Sequence, residues 1–200
     1  HSLREVAAPS TVATYASYLN RFYDYMVGVD AFESNPMAVV MEEMDESVDK
    51  NPARRDVSVP EMRTFVGGIH HPLESAVVVA LLKTGVRVGE LCNLDLRDLN
   101  LDHDGVREAY DVAERGRLDG RPDTLFVAAD VERGAVVNGE ERTASNKRQR
   151  DTLVPIDGEL AAVLRRWLAI RPDARSSAEP LFLSTRDAWG ARLTPEMVRS

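Results

Sequence analysis

Arg87 and Glu90 stand three residues apart in the run Leu81-Leu82-Lys83-Thr84-Gly85-Val86-Arg87-Val88-Gly89-Glu90-Leu91-Cys92. Gly85 suits the left-handed residue that closes the apolar helix before it. Arg87 then opens the next turn and shares one face with Glu90, near enough to pair. A guanidinium held by a carboxylate is a planar, permanently charged fork for phosphate oxygens. The plainer reading of this segment is a helix-capping turn with a surface ion pair. Further along, Lys147-Arg148-Gln149-Arg150 leads into Asp151-Thr152-Leu153-Val154-Pro155-Ile156. This alternating apolar run stops at proline and predicts a strand. A short cationic run is by default a solvated loop, but the chain has only three lysines and one of them stands here.

The two segments resemble the first active-site box and the lysine hairpin of the tyrosine recombinases (phage integrase family), in the family's order. The resemblance implies that Arg87 binds the scissile phosphate and that Glu90 supports Arg87. It also implies that Lys147, at the family's spacing from Pro155, protonates the leaving 5′-oxygen. Arg148 and Arg150 become DNA-binding residues by the same resemblance, as do Arg54 and Arg55 in a polar linker and Thr194 near the end of the chain. A third segment, Thr11-Val12-Ala13-Thr14-Tyr15-Ala16-Ser17-Tyr18-Leu19-Asn20-Arg21-Phe22, is similar to the first or second helix of the family's N-terminal core-binding (SAM-like) domain. Asp98-Leu99 matches the pair that often precedes the first strand. The implied chemistry is DNA strand cleavage through a 3′-phosphotyrosyl link, with no metal or other cofactor. The implied partner is double-stranded DNA, with self-association on it into a tetramer in the intact, Xer-like parent.

Other parts of the family pattern are missing. The second box, His-x-x-Arg, and the nucleophilic tyrosine would both follow the lysine hairpin. Here the last histidine is His103 and the last tyrosine is Tyr110, both before Lys147. His1 to Arg4 spells His-x-x-Arg at the wrong end and reads as chance. Leu193 to Arg199 reads as a helix just beginning, with Thr194 as N-cap and Pro195 at its first position. The expectation is a fragment, inactive alone because it lacks a nucleophile, whose residual function is DNA binding. Two rival readings stand beside it: a non-catalytic regulatory relic of an integrase, and an acidic helical interaction protein with no DNA role.

The formal charge of −8 over 200 residues opposes DNA binding at long range. Arginine outnumbers lysine by 22 to 3 amid abundant acids, a balance that resembles proteins of salt-in halophilic archaea. In strong salt the counterion-release contribution to DNA affinity shrinks. Arg142, Lys147, Arg148 and Arg150 then read as a local cationic patch. The single Cys92 excludes an intramolecular disulfide. There is no long apolar run for a membrane span and no secretory leader pattern, so the expected setting is the cytoplasm, with no membrane partner. No Cys/His cluster has metal-ligand spacing, and Gly67-Gly68 reads as a helix end rather than a phosphate loop.

These segments predict a mostly α chain with a small β-sheet (α+β). The expected domains are a partial helical core-binding domain over 1–48, a linker over 49–57 and the front of a catalytic domain over 58–200. Val12, Tyr15, Leu19, Phe22 and Met26 form a helical stripe read as a core face, on a helix from Ser10 to Val27. A second helix should open at Asn35 as cap and Pro36, and carry Val39, Val40 and Met44. Ser58 and Glu61 have capping-box spacing. Pro72 to Thr84 reads as a buried helix, and Thr124 to Ala129 as a strand within an unusually long interval over 102–141. Asp157 should cap a helix with Leu160, Val163, Leu164, Trp167 and Leu168 facing the core. Leu181-Phe182-Leu183 should be extended.

Overall fold

Proline and short polar side chains set the starts of most helices. The computed structural model describes residues 7–44, 56–110 and 115–200. The chain divides into two units, His1–Asp56 and Val57–Ser200. The expected linker over 49–57, with Arg54 and Arg55, lies outside the described residues except for its last two positions. In the first unit, helix α1 (Pro9–Gly28) begins with Pro9 in its first turn, where the missing N–H is no loss. Helix α2 (Ala38–Glu42) is one short turn.

Two expectations for this unit need correction. Asn35 does not cap α2; Met37 does. The Asn35 side chain instead donates to Asn20 Oδ1 at 2.8 Å and Asp24 Oδ1 at 2.6 Å, and accepts from the Met37 N–H. It therefore ties the α1–α2 connection back onto α1. The apolar stripe of α1 is not a buried face: Tyr15, Leu19 and Phe22 are about half exposed, while the buried residues are Ala13 and Ala16. Val39 and Val40 are exposed as well. Among the described residues of this unit, one long helix and one short turn offer too little surface to cover large side chains, so only the smallest disappear from solvent.

The second unit holds the core. Helix α3 (Val59–Gly67) opens with the predicted capping box, in which the Ser58 N–H donates to Glu61 Oε2 at 2.8 Å. Helix α4 (Pro72–Thr84) buries Leu73, Ala76, Val77, Val79 and Ala80, and ends at Gly85 with φ +63°. The short helix α5 (Val88–Cys92) follows at once, then a 3-10 turn over Leu96–Asp98 and strand β1 (Leu99–Asn100). Helix α6 (Asp104–Ala109) and a 3-10 turn at Gly116–Leu118 lead to strand β2 (Thr124–Val127). A small hairpin, β3 (Val136–Val137) with β4 (Glu140–Glu141), comes before strand β5 (Thr152–Pro155).

The main sheet has the order β1-β2-β5 and is antiparallel throughout, with Leu125 opposite Leu99 on one side and Val154 on the other. Helix α7 (Gly158–Ile170) is capped by Asp157, whose carboxylate accepts from the Leu160 N–H at 2.9 Å. It packs on α4, and Lys83 on α4 pairs with Asp157 and Glu159. Trp167 is fully buried and donates its indole N–H to the Leu181 carbonyl at 2.8 Å. Leu181, Phe182 and Leu183 are also buried, in an extended stretch held by bridges from Pro180 to Asp95 and from Leu183 to Arg192. Helix α8 (Pro195–Arg199) follows. The result is an α+β fold. Among the described residues, no helix is long and apolar enough to cross a membrane.

Candidate nucleic-acid interface

Arg87 is the N-cap of α5, placed there by the left-handed turn at Gly85. Its backbone N–H donates to Glu90 Oε2 at 2.9 Å and its Nη1 donates to Glu90 Oε1 at 3.1 Å. The carboxylate is buried, whereas the Arg87 side chain is 61% exposed. One edge of the guanidinium is thus fixed from below while its other donors face solvent, the arrangement a phosphate needs. Burial pushes the Glu90 carboxyl up, but the Arg87 N–H, the Arg87 guanidinium and the Arg148 charge together hold it below its ordinary value of 4.5.

Arg148 reaches the same carboxylate, with Nε 3.1 Å from Glu90 Oε2. The contact is an ion pair rather than an aligned hydrogen bond, since Arg148 Nε has no acceptor in hydrogen-bonding geometry among the described residues. On the other side of Lys147, Asn146 is anchored just as firmly. Asn93, the C-cap of α5, donates through Nδ2 to Asn146 Oδ1 at 2.8 Å and to the Ala144 carbonyl at 2.9 Å. Asn146 in turn donates to the Ala128 carbonyl at 2.8 Å, and its backbone N–H donates to Val131 at 2.7 Å. Lys147 therefore sits between two residues that bind the helix Arg87 caps, Arg148 at Glu90 and Asn146 at the C-cap Asn93. Lys147 itself is exposed. It lies in irregular chain before β5 rather than within a paired strand, because the long connection from β2 to β5 contains its own hairpin.

Arg142 does not belong to the expected cationic patch. It is 1% exposed and pairs with the buried Asp95 through two nitrogens, at 3.1 and 2.7 Å. Arg192 joins from the loop before α8, donating to Asp95 Oδ1 at 2.6 Å and to Glu140 at 3.0 Å through Nε. Asn138 adds a bond to Asp95 Oδ2 at 3.1 Å. This buried network clamps the β3–β4 hairpin and the Arg192 loop onto the chain just after α5. Sequence could not separate Arg142 from Lys147, because both sit in one cationic stretch and only their partners distinguish them.

Arg150 is exposed and forms no ion pair among the described residues. Thr194 acts as the N-cap of α8, its hydroxyl accepting from the Met197 N–H at 3.4 Å, so the structure gives it a local task. The hydroxyl of Tyr110 donates to the Leu168 carbonyl at 2.6 Å, a structural bond. The structure thus brings Arg87, Glu90, Arg148 and the flanks of Lys147 together, with Arg150 two residues beyond Arg148. Asn93 and Asn146 were missed by sequence reasoning. Asparagine in a loop or at a helix end usually signals turn chemistry, and nothing in the spacing from 93 to 146 marks them as partners.

No family model matches the chain. Tyrosine recombinase XerS of Streptococcus pneumoniae (strain Hungary19A-6) is 34% identical over 124 residues, covering 62% of this chain and 31% of XerS. The XerS of strain CGSP14 is 33% identical over the same length. The chain thus spans about a third of the length of the curated relatives it matches. Among solved structures, the Tn1549 transposon integrase in complex with circular intermediate DNA superposes with a TM-score of 0.63 at 17% identity, over 97% of this chain and 56% of that one. A variant of the same integrase, in complex with transposon right end DNA, gives a TM-score of 0.63 at 20% identity. The chain therefore has the fold of the matching part of that integrase, and in sequence it is similar to the tyrosine recombinases.

Proposed function

We propose that the chain is part of a Xer-like tyrosine recombinase and that its own task is to grip duplex DNA at the scissile phosphate. The observation that carries this reading is the Glu90 carboxylate, which joins the exposed Arg87 to Arg148 and so draws the Lys147 segment to the arginine. Arg87 neutralises charge on the non-bridging oxygens as it develops, an electrostatic contribution that is often the largest in such catalysis. Lys147 protonates the departing 5′-oxygen. Glu90 keeps Arg87 oriented. Arg150, and Arg54 and Arg55 in the linker, meet backbone phosphates, which position a protein on DNA without reading its sequence. In the intact enzyme a tyrosine attacks the phosphate, and the 3′-phosphotyrosyl link preserves the bond energy without metal or nucleotide. Assembly as a tetramer on DNA belongs to the same proposal. The 22 arginines against 3 lysines, with a net charge of −8, support a high-salt, haloarchaeal setting.

The test is a gel-shift titration with a short duplex across salt concentration. Binding should weaken as salt rises, and Lys147→Gln or Arg150→Gln should each reduce the salt slope by about 1. An absence of binding at every salt concentration would favour the acidic interaction protein instead.

A further inference from the structure

The chain of amides from Asn93 to Ala128 has a fixed direction. Ala144 and Ala128 contribute carbonyl oxygens, which can only accept. The Asn93 NH2 must therefore face Ala144, and the Asn146 NH2 must face Ala128. That leaves Asn146 Oδ1 to accept from Asn93 at 2.8 Å, so the orientation of both side chains follows from their surroundings. Asn93 is 7% exposed, where a bond between neutral amides is harder for water to replace. Helix α5 also approaches the loop closely, since a Cβ added at Gly89 would stand 3.2 Å from Ala144 Cβ and from the Ser145 carbonyl oxygen. Residues 144–146 are thus held against α5, one residue ahead of Lys147.

We propose that Asn93 is a positioning residue. Its carboxamide, acting through Ala144 and Asn146, holds Lys147 beside Arg87 before DNA arrives, so the two cations meet one phosphodiester as a preset pair. A loop left free would have to be ordered by DNA, and the entropy of ordering would be subtracted from affinity. The clamp removes that loss in advance. The inference rests on the DNA-binding reading for its purpose but not for its geometry, and the two can fail separately.

The experiment uses the 200-residue chain. Amide hydrogen exchange over 144–148 is measured without DNA, and duplex affinity is measured for the parent, Lys147→Ala, Asn93→Asp and the double variant. Asn93→Asp replaces the donor with a carboxylate that faces two oxygens. It should speed exchange over 144–148 by about tenfold or more while α4 and α7 keep their protection. Lys147→Ala should weaken binding about fivefold in the parent and less than about twofold beside Asn93→Asp, a non-additivity that mere destabilisation does not produce. Asn146→Ala removes the same link from the loop side, and serves if Asn93→Asp fails to fold. Unchanged local exchange in the folded variants, or losses that simply add, would overturn the proposal. So would a Lys147→Ala variant that binds as well as the parent. If the parent binds no DNA at all, the functional reading fails, while the clamp still stands or falls on the exchange result.

Discussion

Arg148 Nε stands 3.1 Å from Glu90 Oε2, so the carboxylate that braces Arg87 also holds the residue beside Lys147. Glu90 is buried, and its removal would leave the partly buried Arg148 without its counter-charge. Hydrogen bonds to charged groups contribute about 1.5–3 kcal/mol each. Glu90→Ala should therefore lower the unfolding free energy, measured by urea titration, by an amount in that range, and weaken DNA binding beyond what Arg148→Ala does alone. Equal DNA affinity in Glu90→Ala and the parent would show that the carboxylate does not orient Arg87.

The same carboxyl makes a pH prediction. Despite burial, its bonds to Arg87 and the charge of Arg148 keep it below its ordinary value of 4.5 in the folded protein. The folded state therefore releases this proton more readily than the unfolded chain does. The stabilisation is fully present above the unfolded value and is lost as pH falls through the folded one. Acid unfolding should begin below pH 4.5 with a contribution from this group, and Glu90→Gln should flatten that limb. An acid limb with the same steepness in both proteins would assign it to other carboxyls.

Local signals in the sequence carried the elements well where one residue type has one use. Gly85 at φ +63°, the Ser58–Glu61 box, Asp157 before α7 and Pro195 after Thr194 all depend on neighbours within four residues. The Arg87–Glu90 pair was legible for the same reason. What was hidden lies across the chain. Arg142 resembled Lys147 in sequence, but Asp95, 47 residues away, draws it into the core. The stripe on α1 has the right period for burial, yet a periodic face is buried only when another element covers it. Asn93 and Asn146 look like turn residues until the connection from β2 to β5 folds back on α5.

The buried network around Asp95 should be costly to break. Arg142 and Arg192 are 1% and 6% exposed, and both pair with a carboxylate that is fully buried. Removing one partner of such a pair strands a buried charge, at a cost of about 3–5 kcal/mol. Asp95→Ala takes the shared carboxylate from both arginines and leaves them only Glu140, whereas Arg142→Ala leaves Asp95 paired with Arg192, so the first should be more harmful, and urea unfolding measures both. Replacing Arg142 with methionine should leave Asp95 still paired to Arg192 and be milder than Asp95→Ala. A methionine variant more harmful than Asp95→Ala would mean that Arg142 contributes chiefly through partners other than Asp95.

Cys92 reports on opening of α5. It is 1% exposed, and burial pushes its thiol from 9.0 up to about 12; Arg192 lowers it and Glu196 raises it by smaller amounts. At pH 8 the native thiol should stay protonated and react with a disulfide reagent only as fast as the structure opens, whereas the unfolded chain should react at once. Because the folded value is raised, the associated stability is present below the unfolded value and is lost as pH rises from about 9 toward 12. Cys92→Ala should remove that alkaline component. Rapid labelling of the native protein at pH 8 would show that α5 opens readily.

Gly89→Ala sets two effects against each other. Alanine favours a helix over glycine by about 0.8–1 kcal/mol in a helix interior, and Gly89 lies in the first turn of α5. The new methyl, however, would stand 3.2 Å from both Ala144 Cβ and the Ser145 carbonyl oxygen. The loop must retreat by a few tenths of an ångström, and its ties to Asn93 at 2.9 and 2.8 Å resist that movement. Since most of the strain falls on an exposed loop rather than the core, global stability should change by less than about 1 kcal/mol. Exchange over 144–148 should rise, and DNA affinity should fall. A variant with parent-like exchange in the loop would show that the 144–148 segment does not rest on α5 as closely as the structure places it.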